Sequence, residues 1–253
     1  MSEKIVYSVV LAGGLSTRMG SQHTNKVCLE LVNVPVICRV LDACEAGGIR
    51  NHLVVVGASA DKVIECVSPR FRNVLYACQS GQRGTAEALG SALAAPPAAE
   101  DALLLVLPGH RILAPEAIAG LRTLYEASPE AKVAEVVLRS ADGAVRPTSI
   151  YFGRATDFRA GWQALSSADD GSGELRLSDL VGRLCAGSPE AHAVLTVTDP
   201  GKVLGFTNPA EFLEVAELLR RNAGKSDHDV APEEYRPIGR WLSHLRRIAA
   251  DGA

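Results

Sequence analysis

The sequence predicts a three-layer α/β domain built on a mostly parallel sheet. Short β-branched apolar runs alternate with segments of helical spacing, most of the runs stop at Gly or Pro, and the first leads into a double glycine. Strands separated by helices need crossover connections, and these build parallel sheets covered on both faces. With 253 residues, 47% of them hydrophobic and 22% charged, the chain can bury a sizeable core.

Residues 5–11 are a β-branched run closed by Gly13-Gly14 and read as a buried strand. Residues 34–46 place Val36, Ile37, Val40, Leu41 and Cys44 at helical spacing before Gly47-Gly48. A strand at 53–56 ends at Gly57, a helix follows at 61–67, and a third short strand at 73–77. Residues 85–94 form a small-residue helix ending before Pro96-Pro97. Residues 102–107 are a strongly apolar strand stopped by Pro108-Gly109, and 115–127 are helical. Ligands bind such sheets beyond the carboxyl ends of the strands, which singles out the loops after Leu11, Gly57, Ala77 and Leu107.

In the second half, strands at 133–138 and 148–152 are joined by a turn at Ala141-Asp142-Gly143. Helices at 157–165 and 177–184, a strand at 193–197 and an amphipathic helix at 209–222 complete a domain over 1–222. Residues 223–253 form a second region, a polar link and then a terminal basic helix at 238–250. Its Trp241, Leu242, Leu245 and Ile248 share one face, as for docking on its own domain or a subunit.

A net charge of -3 supplies no field for nucleic acid or an anionic membrane, so any phosphate must be held by local arrangement. The six cysteines contain no C-x-x-C pair and are read as free buried thiols, Cys78 among them, with no zinc site. The first apolar stretch is too short for a signal peptide or a membrane span, and a cytoplasmic location is expected.

The chemistry concentrates in Leu11-Ala12-Gly13-Gly14-Leu15-Ser16-Thr17-Arg18-Met19-Gly20, with Lys26 beyond it. Gly13 and Gly14 can take positive φ and admit a ligand close to the backbone. Successive N–H groups of such a loop make an anion-binding concavity. Arg18 adds a forked, charge-assisted contact and Lys26 a compact positive charge. On the glycines alone, a tight strand-to-helix turn with two solvated cations is the better reading. The string is neither the dinucleotide pattern nor the P-loop, since G-x-G-x-x-G and G-K-[ST] are absent.

Taken whole, the string, followed by Lys26-Val27, Pro35 and a helix, resembles the signature of sugar-phosphate nucleotidyltransferases. It is most similar to the bacterial N-acetylglucosamine-1-phosphate uridylyltransferase domain. The resemblance continues at Gln79 and Gly84-Thr85-Ala86-Glu87-Ala88, at Gly173-Glu174-Leu175 with Leu177 and Asp179, and at Gly205-Phe206-Thr207-Asn208-Pro209-Ala210-Glu211. It implies the Rossmann-like nucleotide-diphospho-sugar transferase fold and Mg2+ as cofactor. The implied reaction is attack of a sugar-phosphate oxygen on the α-phosphorus of a nucleoside triphosphate, with pyrophosphate leaving. Carried over residue by residue, it places the backbone of Leu11, Ala12, Gly13 and Gly14 on the nucleotide and Arg18 on the leaving pyrophosphate. Lys26 falls on the α-phosphate, and Gln79, Gly84 and Thr85 on the base edge.

The metal positions depart from that pattern. The family has Gly-Asp where this chain has Gly109-His110, and a neutral imidazole is a poor magnesium ligand. The second ligand position falls at Thr207 or, one residue on, at Asn208. The acceptor side departs too, with the sugar-contacting glutamate segment deleted between Leu138 and Thr148 and an asparagine position occupied by Pro147. Three alternatives stay open: an enzyme for another phosphorylated acceptor, with the metal held by the triphosphate and Asn208 or a softer ion at His110; a nucleotide-binding protein without turnover; and a structural descendant. The expected partners are a nucleoside triphosphate, UTP favoured, and a phosphorylated small molecule. Neither nucleic acid nor a membrane is expected, and a homo-oligomer is allowed. His23, His52, His192, His228 and His244 are read as polar or surface positions, and Asp169-Asp170 as a solvated loop.

Overall fold

The computed structural model describes residues 4–14, 25–95, 102–171 and 173–222. Arg18, His23 and the whole of 223–253, with its expected terminal helix, lie outside the described residues.

The first half runs β1 (Val6–Leu11), β2 (Glu30–Leu31), β3 (Val34–Pro35), α1 (Val36–Ala46), β4 (Asn51–Val56), α2 (Ala60–Val67), β5 (Val74–Cys78) and α3 (Thr85–Leu93). Then follow β6 (Leu103–Pro108), β7 (Arg111–Leu113), α4 (Pro115–Glu126), β8 (Val133–Arg139), β9 (Val145–Arg154) and α5 (Ala155–Ser167). The chain continues through α6 (Leu177–Leu184), β10 (His192–Val197), β11 (Val203–Gly205) and α7 (Pro209–Asn222).

A seven-stranded sheet has the order β10-β8-β9-β6-β1-β4-β5. β9 pairs antiparallel with both neighbours, and every other pairing in the sheet is parallel. Successive side chains of a strand point to opposite faces, and the core follows that rule. Val10, Val54, Val56, Leu103, Leu105 and Leu107 pack on the face covered by α1, α2 and α4. Val9, Leu11, Leu53, Val55, Leu104 and Val106 pack on the face covered by α3, α5 and α6. The expected three-layer α/β fold is what forms.

Helix α1 starts at Val36, two residues later than its apolar spacing predicts. Val32 and Asn33 take positive φ, 49° and 60°, and make a two-residue turn that pairs β2 with β3. Helix α7 begins where its sequence says it should. Asn208 Oδ1 accepts from the Glu211 N–H at 3.0 Å, and the Glu211 carboxylate accepts from the Thr207 N–H and, at 2.9 Å, from its hydroxyl. This reciprocal cap precedes Pro209 at the first helical position. Phe206 and Phe212, in edge contact with centroids 4.9 Å apart, fix α7 over Leu29, Leu31 and Val36.

Several polar positions differ from their sequence reading because their partners lie on neighbouring strands. His52 is 1% exposed. The β1–β4 register sets it beside Ser8, whose hydroxyl lies 2.7 Å from His52 Nδ1. His192 pairs with Glu135 at 3.0 Å, and Asp169 with Arg83 at 2.6 Å, so neither is merely solvated. Cys78, expected in the core, is exposed at the end of edge strand β5, whereas Cys38 and Cys44 are buried as expected.

Burial lowers the His52 pKa below its ordinary value of 6.5, against the pull of Glu45. Below pH 6.5 the unfolded chain then takes up a proton that the folded one refuses. Stability is therefore complete above that pH and falls as pH drops towards the depressed folded value. We expect the thermal midpoint to decline over that window, and the decline to be shallower in His52→Gln.

Candidate functional site

The strands β1, β5 and β6 end around one cavity of about 340 Å³. It collects most of the residues singled out in the sequence. Leu11, Ala12, Gly13 and Gly14 form one wall, Gln79, Gly84 and Thr85 another, and Lys26 and His110 also line it. Asn208 is not among the lining residues.

Backbone pairing fixes the first wall. The Ala12 N–H donates to Val55 O at 2.8 Å, Leu11 O accepts from the Gly109 N–H at 2.8 Å, and Asn25 Nδ2 donates to Ala12 O at 2.8 Å. Leu11 and Ala12 thus already bond within the protein, whereas the Gly13 and Gly14 N–H groups make no backbone hydrogen bond among the described residues. Asn25 is 4% exposed. Its Oδ1 also accepts from the Val27 N–H at 3.2 Å, holding the turn Lys26–Cys28 that carries Lys26 into the cavity.

The second wall is held by Glu87. Gln79 Nε2 and the Arg83 N–H both donate to Glu87 Oε2, at 3.1 Å and 2.9 Å. Gln82 Nε2 donates to Gly13 O at 3.2 Å and ties the two walls together. Gly84 has φ +122°, and a side chain there would run into the Leu175 carbonyl and Glu174. That approach lets Leu175 bridge the turn, donating to Arg83 O at 2.6 Å and accepting from the Ala86 N–H at 2.9 Å. The Thr85 hydroxyl accepts from the Leu177 N–H at 3.0 Å, so Gly173–Asp179 closes over the start of α3.

His110 Nε2 lies 3.4 Å from Lys26 Nζ, and its ring meets Phe206 edge-on with centroids 6.0 Å apart. Burial first, then the charges of Lys26 and Arg111, push its pKa well below the ordinary 6.5. An ammonium only donates, so the neutral ring accepts at Nε2 and carries its proton on Nδ1.

Magnesium prefers hard oxygen donors in near-octahedral array. Here the expected carboxylate position holds a nitrogen already facing an ammonium, and Asn208 Oδ1 caps α7. Among the described residues no group of three or more His, Cys, Asp or Glu side chains can hold a metal ion. The residues present do not fit the Mg2+ that the resemblance implies.

A second cavity of about 460 Å³ is lined by residues of β7 and β11, with Pro147 and Thr207 also in its wall. Its charges are mixed, Arg111 and Arg146 against Glu211 and Glu214. No helix among the described residues is long and apolar enough to cross a membrane.

Sequence reasoning missed Asn25, Gln82 and Glu87 as parts of the site. Glu87, in the first turn of α3, and Asn25, a residue type favoured before a helical turn, carry a signal in the capping preferences. Gln82 carries none.

Comparison with known proteins bears on the family and the fold. Bifunctional protein GlmU of Sorangium cellulosum is 28% identical over 247 residues, covering 84% of this chain and 51% of that protein. Its counterpart from Halorhodospira halophila is 29% identical, over 84% of this chain and 49% of that protein. The chain thus spans about half the length of these curated relatives. Two solved structures share the fold. A chain assigned as a glucose-1-phosphate thymidylyltransferase from Bacillus anthracis superposes with TM-score 0.71 at 16% identity, over 85% of this chain and 95% of that one. A nucleotidyl transferase from Methanothermobacter thermautotroptrophicus gives 0.64 at 20% identity, over 87% of this chain and 100% of that one. The family profile described as MobA-like NTP transferase domain matches residues 8–202, and the chain belongs to that nucleotidyltransferase family.

Proposed function

We propose that this chain transfers a nucleoside monophosphate from a nucleoside triphosphate, UTP favoured, to a sugar phosphate or similar phosphorylated acceptor. The observation that supports this most is the convergence of the Leu11–Gly14 wall, Lys26, Gln79, Gly84 and Thr85 on one cavity beyond the strand ends. In the proposed reaction an acceptor phosphate oxygen bonds to the α-phosphorus. The bond from that phosphorus to the bridging oxygen breaks, and pyrophosphate leaves with the electron pair. Such a step is chiefly positioning and charge neutralisation. The Gly13 and Gly14 N–H groups bind phosphate oxygens, Lys26 neutralises the α-phosphate, and Arg18 takes the pyrophosphate. Gln79 reads the base edge, and Gly84 leaves room for it. The cavity containing Arg111 and Arg146 is where we place the acceptor, on the side where Pro147 departs from the family pattern.

A second reading is favoured by the His110–Lys26 contact: a nucleotide-binding protein on the same fold whose metal position has degenerated. The two are separated by measuring pyrophosphate release over a panel of nucleoside triphosphates and phosphorylated acceptors, with Mg2+ and Mn2+, alongside thermal shifts. A ligand bound only by the native state raises its midpoint. The enzyme reading expects release with UTP. Midpoint shifts without release under any condition favour the second reading, and in that case His110→Asp is expected to bring Mg2+-dependent release. No shift and no release with any nucleotide would overturn both.

A further inference from the structure

The proposed reading leaves open how one base is told from another of the same size. UTP and CTP differ at the pyrimidine edge: uracil presents an N3–H donor beside the O4 acceptor, cytosine a bare N3 acceptor beside the N4 amino donor. Gln79 carries both a donor and an acceptor, so by itself it suits either base. Its environment removes that freedom.

The Glu87 carboxylate accepts hydrogen bonds and donates none. The end of Gln79 that faces it at 3.1 Å must therefore be the NH2 group. Glu87 is itself held, because the Arg83 N–H donates to the same oxygen at 2.9 Å. With Nε2 committed, Oε1 points the other way, against the α-carbon of Gly13, where an added side-chain carbon would collide with it. Gln79 and Gly13 both line the cavity. Among the described residues Oε1 receives no hydrogen bond, so the polar atom that Gln79 turns towards the glycine wall is an acceptor.

Rotating the amide to offer NH2 instead would set Oε1 against the carboxylate. Two acceptors would then face each other in a partly buried place, and a buried polar group left unpaired disfavours that orientation by about tenfold or more. A site built to hydrogen-bond one group rejects an analogue that lacks it.

We infer that Glu87 is a specificity-determining positioning residue: by fixing the Gln79 amide with its oxygen towards the N3 position of the base, it selects uracil and thymine, which carry a donor there, over cytosine, whose N3 is an acceptor. The inference rests on the proposed nucleotide reading of the cavity and names the feature that sets its base preference.

Three proteins test it, each titrated calorimetrically with UTP, dTTP and CTP. The wild type is expected to prefer UTP and dTTP over CTP by about tenfold or more, the effect of one unpaired polar group. Glu87→Met removes the acceptor, lets the amide turn either way, and is expected to bring the UTP/CTP ratio to within about threefold of unity, chiefly by tighter CTP binding. Glu87→Gln can turn its own carbonyl oxygen to both donors and is expected to restore the wild-type ratio. A merely structural role for Glu87 would weaken all nucleotides alike. If the Met variant does not fold, Glu87→Ala serves the same comparison. An unchanged ratio in the folded acceptor-less variant, or a wild type that prefers CTP, overturns the inference while leaving nucleotide binding standing. Failure of every nucleotide to bind the wild type overturns the proposed function instead.

Discussion

Replacing Lys26 by alanine is expected to lower pyrophosphate release by about 10²–10³-fold, the loss that follows removal of one preorganised charge or donor from a transition state. Lys26 reaches the cavity on a turn whose first N–H groups are capped by Asn25, itself bonded to Ala12 O. The backbone that positions it therefore does not depend on the ammonium, and the variant should fold. KM for the triphosphate should rise less than kcat falls, because charge on the α-phosphate peaks as the new bond forms. A second readout separates this from a general disturbance. Lys26 is one of the two charges that hold the His110 pKa down. In Lys26→Ala, NMR titration should find that imidazole moved up towards its ordinary range, though burial, the larger cause, remains. A rate within threefold of the wild type would remove Lys26 from the proposed chemistry.

Gly84→Ala is expected to destabilise the fold by about 3 kcal/mol or more and to abolish the UTP-dependent rise in thermal midpoint. The backbone here has φ +122° and ψ −174°, a region open in practice only to glycine. An added methyl would also strike the Leu175 carbonyl, which is backbone and cannot swing away. That carbonyl accepts from the Ala86 N–H, so relief of the clash would part the start of α3 from the 173–179 segment. Urea unfolding gives the stability change. A variant as stable as the wild type would mean that the two segments can separate at little cost.

The sheet is largely legible in the sequence because its strands are apolar on both faces. Leu103 to Leu107 are all buried, and such a run between turn residues has few other readings. Helices α6 and α7 match their expected limits, 177–184 and 209–222, because Asp179, Asn208 and Pro209 supply end chemistry. β7 and β11 are not legible. Each has only three residues, too few to show a period, and each exists only by pairing with the other, Val203 against Leu113. His52 and His192 escape for a related reason, since spacing along the chain says nothing about what stands on the next strand. At the site, the glycine wall, Lys26, Gln79, Gly84 and Thr85 are legible as a motif, and the structure gathers them around one cavity. Their supports are not. Glu87 stands inside the quoted stretch, but nothing in one dimension shows that it grips Gln79.

The reversed strand β9 has a consequence for how such a domain can diversify. Running against β6 and β8, it begins at the same rim where they finish, joined to β8 by a turn closed through the Ser140 N–H to Ala144 O and the Gly143 N–H to Ser140 O. Extra residues spliced into that reversal would extend from the rim where Leu138 and Arg146 line the second cavity, without disturbing either packed layer. Each doubling of such a loop costs only about 0.6 kcal/mol in closure entropy. A single length, at one place in the chain, can therefore reshape that rim while the sheet and its helices stay as they are.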